Sequence, residues 1–496
     1  MSPENREIVN GHKLFLRLEV PRLYNKGLTL RYLFDLSTLA QWHGPAVGVV
    51  RVEQELARRA RQYLGDSVAF GLYHRSLGTF VVIDDEVAGD LIKGQVKVDL
   101  GVAPQSLYQP KGLWKKLRAA LLRSATAYHL SQILRGRGIT REQVLEIQTR
   151  EIGKRWRMPA STRDAMPLTQ VSHYPARLDS DTWMISAGLD WQYKDLRALW
   201  NLKQLFGFSY CAVIYDLIPV RYPHLVVRGY DELLTDYFGE LLWVADLTMC
   251  ISNATREDWV RHAHEVGVDP KPSFVFPLGC DLPDTAAKQG VGLPSQLVGK
   301  RFVLYVSTIE PRKNHWTLYQ AWEECVRTKQ INPDRDRLVF VGRRGWATED
   351  LLREISVNPA TRESILVLHD LSDDQLAALY RNCAFTVFPS LYEGYGLPLA
   401  EALSYGKLCI SSGAAALAEV GGDLVIKLDP RDTMAWSELI GRFVTSPSEV
   451  SEWESRVARL YQPTTWDAAA NSFFSALKSR DVDRARNGSL TVPVPN

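Results

Sequence analysis

The chain has 496 residues, 46% hydrophobic and 23% charged, with a net charge of +2. That length admits two or three domains with sizeable cores, and the composition is that of an ordinary globular protein. The balanced charge gives no reason for a nucleic-acid partner, and no apolar run approaches the ~20 residues that span a bilayer.

Residues 1–27 read as a polar leader, and its start lacks the apolar core of a signal peptide. The expectation is a soluble cytoplasmic chain, or one peripheral at the inner membrane face. Thr29 to Leu36 reads as the first strand. It feeds a loop with glycines at 44 and 48, then a helix in which Val49, Val52, Leu56, Ala60 and Tyr63 share a face while Arg51, Glu53 and Arg59 face water. The loop is not G-x-G-x-x-G, so it is either an ordinary βα connection or a ligand-contacting loop. Phe70–Tyr73 and Phe80–Ile83 are further strands. Residues 104–165 break the rhythm as a basic helical insertion, which either covers the sheet or lies on an anionic membrane surface.

Thr182–Ser186 and Ser209–Tyr215 resume the strands. Asp216 follows the second, placed either to meet a ligand beyond the strand end or to cap the turn before Pro219. Tyr230–Val244 reads as a helix, Leu247–Ser252 as a strand, Ser252 as a helix cap and Ser273–Pro277 as a strand. Residues 282–300 read as a linker. A second alternation then begins. Arg301–Thr308 is a strand, followed by the loop Glu310-Pro311-Arg312-Lys313-Asn314-His315 and the helix Trp316–Arg327. Strand Arg337–Val341 is closed by Gly342-Arg343-Arg344-Gly345-Trp346. Strand Ile365–Leu368, helix Ser372–Asn382 and strand Ala384–Phe388 follow.

Beyond Phe388, Gly394 and Gly396 flank Tyr395, so that loop can take positive φ and approach a ligand. Pro398 suits the first turn of the next helix, which stops at Gly406. Leu408–Ser411 is another strand. The chain is then helical from Ser437 to about Arg480, and 481–496 is a flexible tail. Six cysteines, none in a C-x-x-C pair, give metal binding little support and suit buried, reduced thiols.

Arg312 and Lys313 sit at one strand end, and Glu393 and Glu401 flank the start of another helix. Fixed cations and a helix N-terminus suit a diphosphate, and carboxylates suit hydroxyls. With Arg and Lys available, a divalent cation is not needed to neutralise phosphate. Taken together these residues point to a sugar-nucleotide site.

Ser307-Thr308-Ile309-Glu310-Pro311-Arg312-Lys313-Asn314 and Glu393-Gly394-Tyr395-Gly396-Leu397-Pro398-Leu399-Ala400-Glu401-Ala402 resemble the two signatures of retaining glycosyltransferases of family 4, the E-x7-E group. Gly342–Trp346 and Asp216–Pro219 resemble two further elements, common among O-antigen and capsule mannosyltransferases. The resemblance implies an α/β GT-B fold, with two Rossmann-like domains facing each other across a cleft. They would cover 28–282 (acceptor-binding) and 300–465 (sugar-nucleotide-binding), with a 466–480 helix returning to the first. Arg312 and Lys313 would bind the donor diphosphate, and Glu393 the transferred sugar. The backbone at Gly394, Tyr395, Gly396 and Leu397 would meet sugar and phosphates, with Gly48 and Gly342 nearby. Glu401 would hold the ribose. The family often has a His before this Asp, touching the donor sugar near the reacting carbon; this chain has Tyr215 there, so that contact would fall to Tyr215 or to Asp216.

The implied activity is metal-independent transfer of a hexose, best GDP-mannose, to an oligosaccharide or lipid-linked acceptor glycan. No further cofactor is implied. A non-catalytic sugar-nucleotide-binding subunit and a GT-B epimerase are the alternatives.

Overall fold

The computed structural model describes residues 30–44, 48–74, 78–100, 165–168, 171, 173–281 and 292–488. The basic segment 104–164, most of the linker and 489–496 lie outside them.

Among the described residues ten strands belong to the N-terminal half. They are β1 (Tyr32–Asp35), β2 (Val68–His74), β3 (Thr79–Ile83), β4 (Val98–Asp99), β5 (Met166–Pro167), β6 (His173–Pro175), β7 (Trp183–Ser186), β8 (Ser209–Ile214), β9 (Leu247–Cys250) and β10 (Ser273–Val275). Eight form one sheet in the order β10-β9-β8-β7-β1-β2-β3-β6, and β4 pairs with β5. The sheet is parallel except at β3, which runs against both neighbours. All six residues of β8 are buried, as expected of a strand covered on both faces. The C-terminal half holds β11 (Arg301–Val306), β12 (Asp336–Val341), β13 (Ile365–Leu368), β14 (Phe385–Phe388), β15 (Cys409–Ser411) and β16 (Ile426–Lys427). Their order is β13-β12-β11-β14-β15-β16, all parallel. Each half has its own apolar core, and all six cysteines are free and buried.

The last helix, Trp466–Gly488, leaves the C-terminal domain and packs on the first. Phe473 meets Phe276 edge-on at 5.2 Å and Phe474 stacks on Tyr63 at 5.6 Å. It runs past residue 480, where the flexible tail was expected to begin. Asp481 accounts for the extension, because it accepts from the Tyr32 hydroxyl at 2.6 Å and pairs with Arg31 at 2.5 Å. The helical run after β16 starts at Thr433, earlier than expected, and breaks at Tyr461, Pro463 and Thr465 to let the chain cross back.

A second correction concerns the helix Val49–Leu64. Arg51, Glu53 and Arg59 were expected to face water. Glu53 is fully buried beneath a short helix, Ser37–Gln41, that forms where a loop was expected after β1, and the Leu39 amide of that helix approaches its carboxyl at 3.4 Å. Arg51 reaches the other domain, and Arg59 pairs with Asp467. A helix sandwiched between a sheet and a second domain has no wide polar face, so its periodicity marks the burial of one side only. Among the described residues no helix is long and apolar enough to cross a membrane.

Candidate active site

In an open α/β sheet the strand order reverses at one point, and the loops beyond it part to leave a crevice. In the C-terminal sheet this point lies between β11 and β14. The loop after β11 carries Arg312 and Lys313, and the loop after β14 carries Glu393. Hydrogen bonds tie the loops together: the Leu391 amide donates to the Arg312 carbonyl at 2.9 Å, and the side-chain Nδ2 of Asn314, a residue with φ of +58°, donates to the Pro389 carbonyl at 3.1 Å. The side chains then converge. Arg312 Nη1 lies 2.8 Å from Glu393 Oε2, and Lys313 Nζ lies 2.5 Å from Glu393 Oε1. Arg312 is further held by Glu310 and by the Tyr392 carbonyl, each at 2.8 Å.

Electrostatics follow from this packing. Burial pushes the Glu393 carboxyl up, but Lys313 and Arg312 more than reverse it, drawing it down to about 2. Burial and the neighbouring Arg312 lower the Lys313 ammonium. Burial takes His315, next along the loop, down to about 3, so it is neutral. The result is Arg312 and Lys313 clustered with Glu310 and Glu393 at a crevice.

Across the cleft, Asp216 accepts from the Ile218 amide at 3.0 Å, so it does cap its turn. Burial raises its carboxyl, and Arg312 opposes the rise, which places Asp216 within the field of the same cluster. The turn-capping reading of Asp216 therefore holds. The Tyr215 hydroxyl is buried and donates to the Ala187 carbonyl at 2.5 Å.

Glu401, on the helix Leu397–Ser404, accepts from the Tyr380 hydroxyl at 3.1 Å and pairs with Arg51 of the N-terminal domain at 3.4 Å. Burial lifts its carboxyl to about 7, against the pull of Arg51. Arg51, Tyr380 and Glu310 were missed as site residues. Arg51 had the spacing of a solvated helix face, and nothing in sequence pairs it with a residue 350 positions away.

The glycines divide. Gly396 has φ of +99° and opens the helix; Gly48 has φ of +53° before the helix Val49–Leu64, with open space where a side chain would be. A Cβ at Gly342 would lie 2.0 Å from the Ser307 carbonyl oxygen, so this residue lets the loops after β11 and β12 touch. Gly394 does not take the positive φ expected of it. A Cβ there would lie 2.2 Å from the Tyr215 carbonyl oxygen, and its own carbonyl accepts from Ser252 Oγ at 2.7 Å and Thr255 Oγ1 at 3.2 Å. The close approach it permits is between the domains. Tyr395, through its hydroxyl on the Leu278 carbonyl at 3.0 Å, and Glu419, on the Asn253 amide at 2.9 Å, extend the seam.

Residues 295–459 match the family model described as Glycosyl transferases group 1. The serotype-specific mannosyltransferase WbdA of Escherichia coli is 30% identical over 207 residues, 40% of this chain and 25% of that protein. O-antigen chain mannosyltransferase B of Escherichia coli is 39% identical over 144 residues, 29% of this chain and 36% of that protein. The chain thus spans a quarter to about a third of the length of these relatives. Anabaena HepE, solved in complex with UDP and glucose, superposes with a TM-score of 0.54 at 14% identity, over 91% of this chain and all of that one, and shares the GT-B fold.

Proposed function

We propose that this chain, whose residues 295–459 belong to the glycosyl transferases group 1 family, is a retaining, metal-independent hexosyltransferase that moves mannose from GDP-mannose to an acceptor glycan of a bacterial surface polysaccharide. The observation that carries the reading is the convergence of Arg312, Lys313 and Glu393 at the β11/β14 switch point. The choice of mannose rests on the relatives named mannosyltransferases.

Arg312 and Lys313 hold the diphosphate and stabilise the charge it gains as the sugar C1–O bond breaks. Glu393 orients the sugar hydroxyls. The acceptor oxygen bonds to C1 on the face the diphosphate leaves, and a phosphate oxygen takes its proton. The test incubates the full chain with GDP-mannose and methyl α-D-mannopyranoside, with and without EDTA, and reads the products by NMR. An α-linked disaccharide at equal rate in both arms is expected. A β-linked product would remove the retaining assignment, an EDTA-abolished rate the metal independence, and donor epimerisation the transferase reading.

Glu401 holds the ribose in this reading, and it does so as a carboxylate accepting from hydroxyls. Its ordinary value of 4.5 becomes about 7. The folded chain keeps this proton to higher pH than the unfolded chain does. Stability from the site is therefore complete below 4.5 and is lost as pH rises through about 7. Donor binding, which needs the carboxylate, runs the other way. GDP affinity is expected to rise about tenfold from pH 6 to 8, the scale of a charge-assisted hydrogen bond. In Glu401→Gln the curve should be flat; calorimetric titration that found the same slope in wild type and variant would remove Glu401 from ribose binding.

A further inference from the structure

At the Asp216–Arg312 end of the cleft, both domains enclose a cavity of about 280 Å³. Its two ends differ in chemistry. The end nearest Glu393 is polar and presents Asp216, Glu310 and Arg312. The remaining wall is apolar and aromatic, with Trp191, Tyr237 and Phe238 from the N-terminal domain and Trp346 facing them from the C-terminal domain. Trp191 stands edge-on to Tyr237, with ring centres 5.6 Å apart. Val227 and Tyr230, exposed by 43% and 37%, mark where the cavity meets solvent.

Three observations say what fits. The first is charge. Asp216 and Glu310 line this end while the Arg312 guanidinium is turned to Glu310 and Glu393, so the polar end offers carboxylate acceptors to hydroxyl donors. The second is an available donor: the Trp191 indole N–H is buried and has no partner among the described residues, a cost that a ligand oxygen would relieve. Tyr230 adds a hydroxyl that accepts from Gln192 at 2.9 Å and keeps its own proton to give. The third is size. The volume sits just under the usual range of about 300–1,000 Å³ for small-molecule pockets, which leaves room for one ring rather than a chain of them.

We propose that this cavity holds the terminal, uncharged pyranose of the acceptor, with its C–H face against the aromatic wall and its hydroxyl edge toward Asp216 and Glu310. The proposal rests on the transferase reading and adds the acceptor class to it. Trp191 and Trp346 are then specificity residues for the acceptor and touch no part of the donor. A sugar ring seated there brings a hydroxyl beside the Glu393 cluster, while a uronic acid in the same place meets two carboxylates.

The test is saturation-transfer NMR on the full chain with three probes: methyl α-D-mannopyranoside, methyl α-D-glucuronoside, and tetraethylene glycol mono-octyl ether below its micelle concentration. GDP binding is followed separately by thermal shift. The mannopyranoside is expected to saturate most at its ring C–H protons, and the other two probes not at all. Trp191→Phe and Trp346→Ala should each weaken mannopyranoside binding about tenfold, the scale of a lost hydrogen bond in the first and a lost aromatic contact in the second, and leave the GDP-induced shift as in wild type. Trp346 lies half-exposed on a loop, so its variant tests the cavity even if Trp191→Phe fails to fold. Saturation by glucuronoside equal to that by mannopyranoside would overturn the proposal. So would saturation by the octyl ether alone, which would assign the cavity to a lipid tail, or wild-type affinity in both variants. Absence of a GDP shift in the wild type would count against the transferase reading separately, with pyranoside binding still deciding the cavity.

Discussion

Lys313→Ala is expected to lower kcat/KM with GDP-mannose by about 10²- to 10³-fold, the loss typical of removing one preorganised partner of a developing charge. Lys313 is one of two cations at the switch point, and the loop-to-loop bonds around Asn314 and Leu391 fix its position. Its charge is therefore in place before the diphosphate departs and needs no reorganisation during reaction. Glu393 would keep Arg312 alone, and its carboxyl would climb from about 2 toward its ordinary range. Because that carboxyl is depressed in the folded chain, it contributes stability above 4.5 that is lost as pH falls through about 2. The variant should lose that contribution at a higher pH than wild type, visible as an earlier acid unfolding midpoint by circular dichroism. Lys313→Arg should recover the unfolding midpoint better than the rate, since guanidinium keeps the charge but changes where it lies. An unchanged kcat/KM in Lys313→Ala would remove the diphosphate assignment.

Gly394→Ala is expected to cost about 1–3 kcal/mol, as overpacking does in a closed interior. The added methyl meets the Tyr215 carbonyl oxygen at 2.2 Å and Asp216 Cβ at 2.9 Å. Neither is the free end of a flexible side chain, so a domain must move. Each domain keeps its own core, so the cost falls on their contact. Small-angle scattering should show an expanded particle, kcat should fall about 10- to 100-fold at 1.36 kcal/mol per tenfold, and GDP affinity should stay within about threefold because both cations remain in the C-terminal domain. A loss of GDP binding with unchanged scattering would restore Gly394 to the role its motif suggests, close approach to ligand.

The clustering of charged residues in the C-terminal half was legible because its signals are local. Arg312 and Lys313 are adjacent, and Glu393 and Glu401 lie on one strand–loop–helix unit. A parallel sheet with short connections brings the two loops to its single switch point. The alternation of apolar runs and amphipathic helices likewise gave the two domains, since strands covered on both faces must be apolar throughout.

Whatever lies across the cleft depends on distance in space rather than in sequence. Arg51 on Glu401, Gly394 on Tyr215 and the final helix on Tyr32 each join residues far apart along the chain. Arg51 and Glu53 had the spacing of a solvated face, yet one pairs between domains and the other is buried under a short helix. The sequence alone determined the two-domain α/β framework and the cationic strand end with its carboxylate, because periodicity and neighbouring charges are local properties. Only the tertiary structure decided that Gly394 serves the seam between domains, that Glu401 is held by a residue of the other half, and that an aromatic cavity stands beside Asp216. Burial and close approach are properties of surfaces that do not exist until the two domains meet.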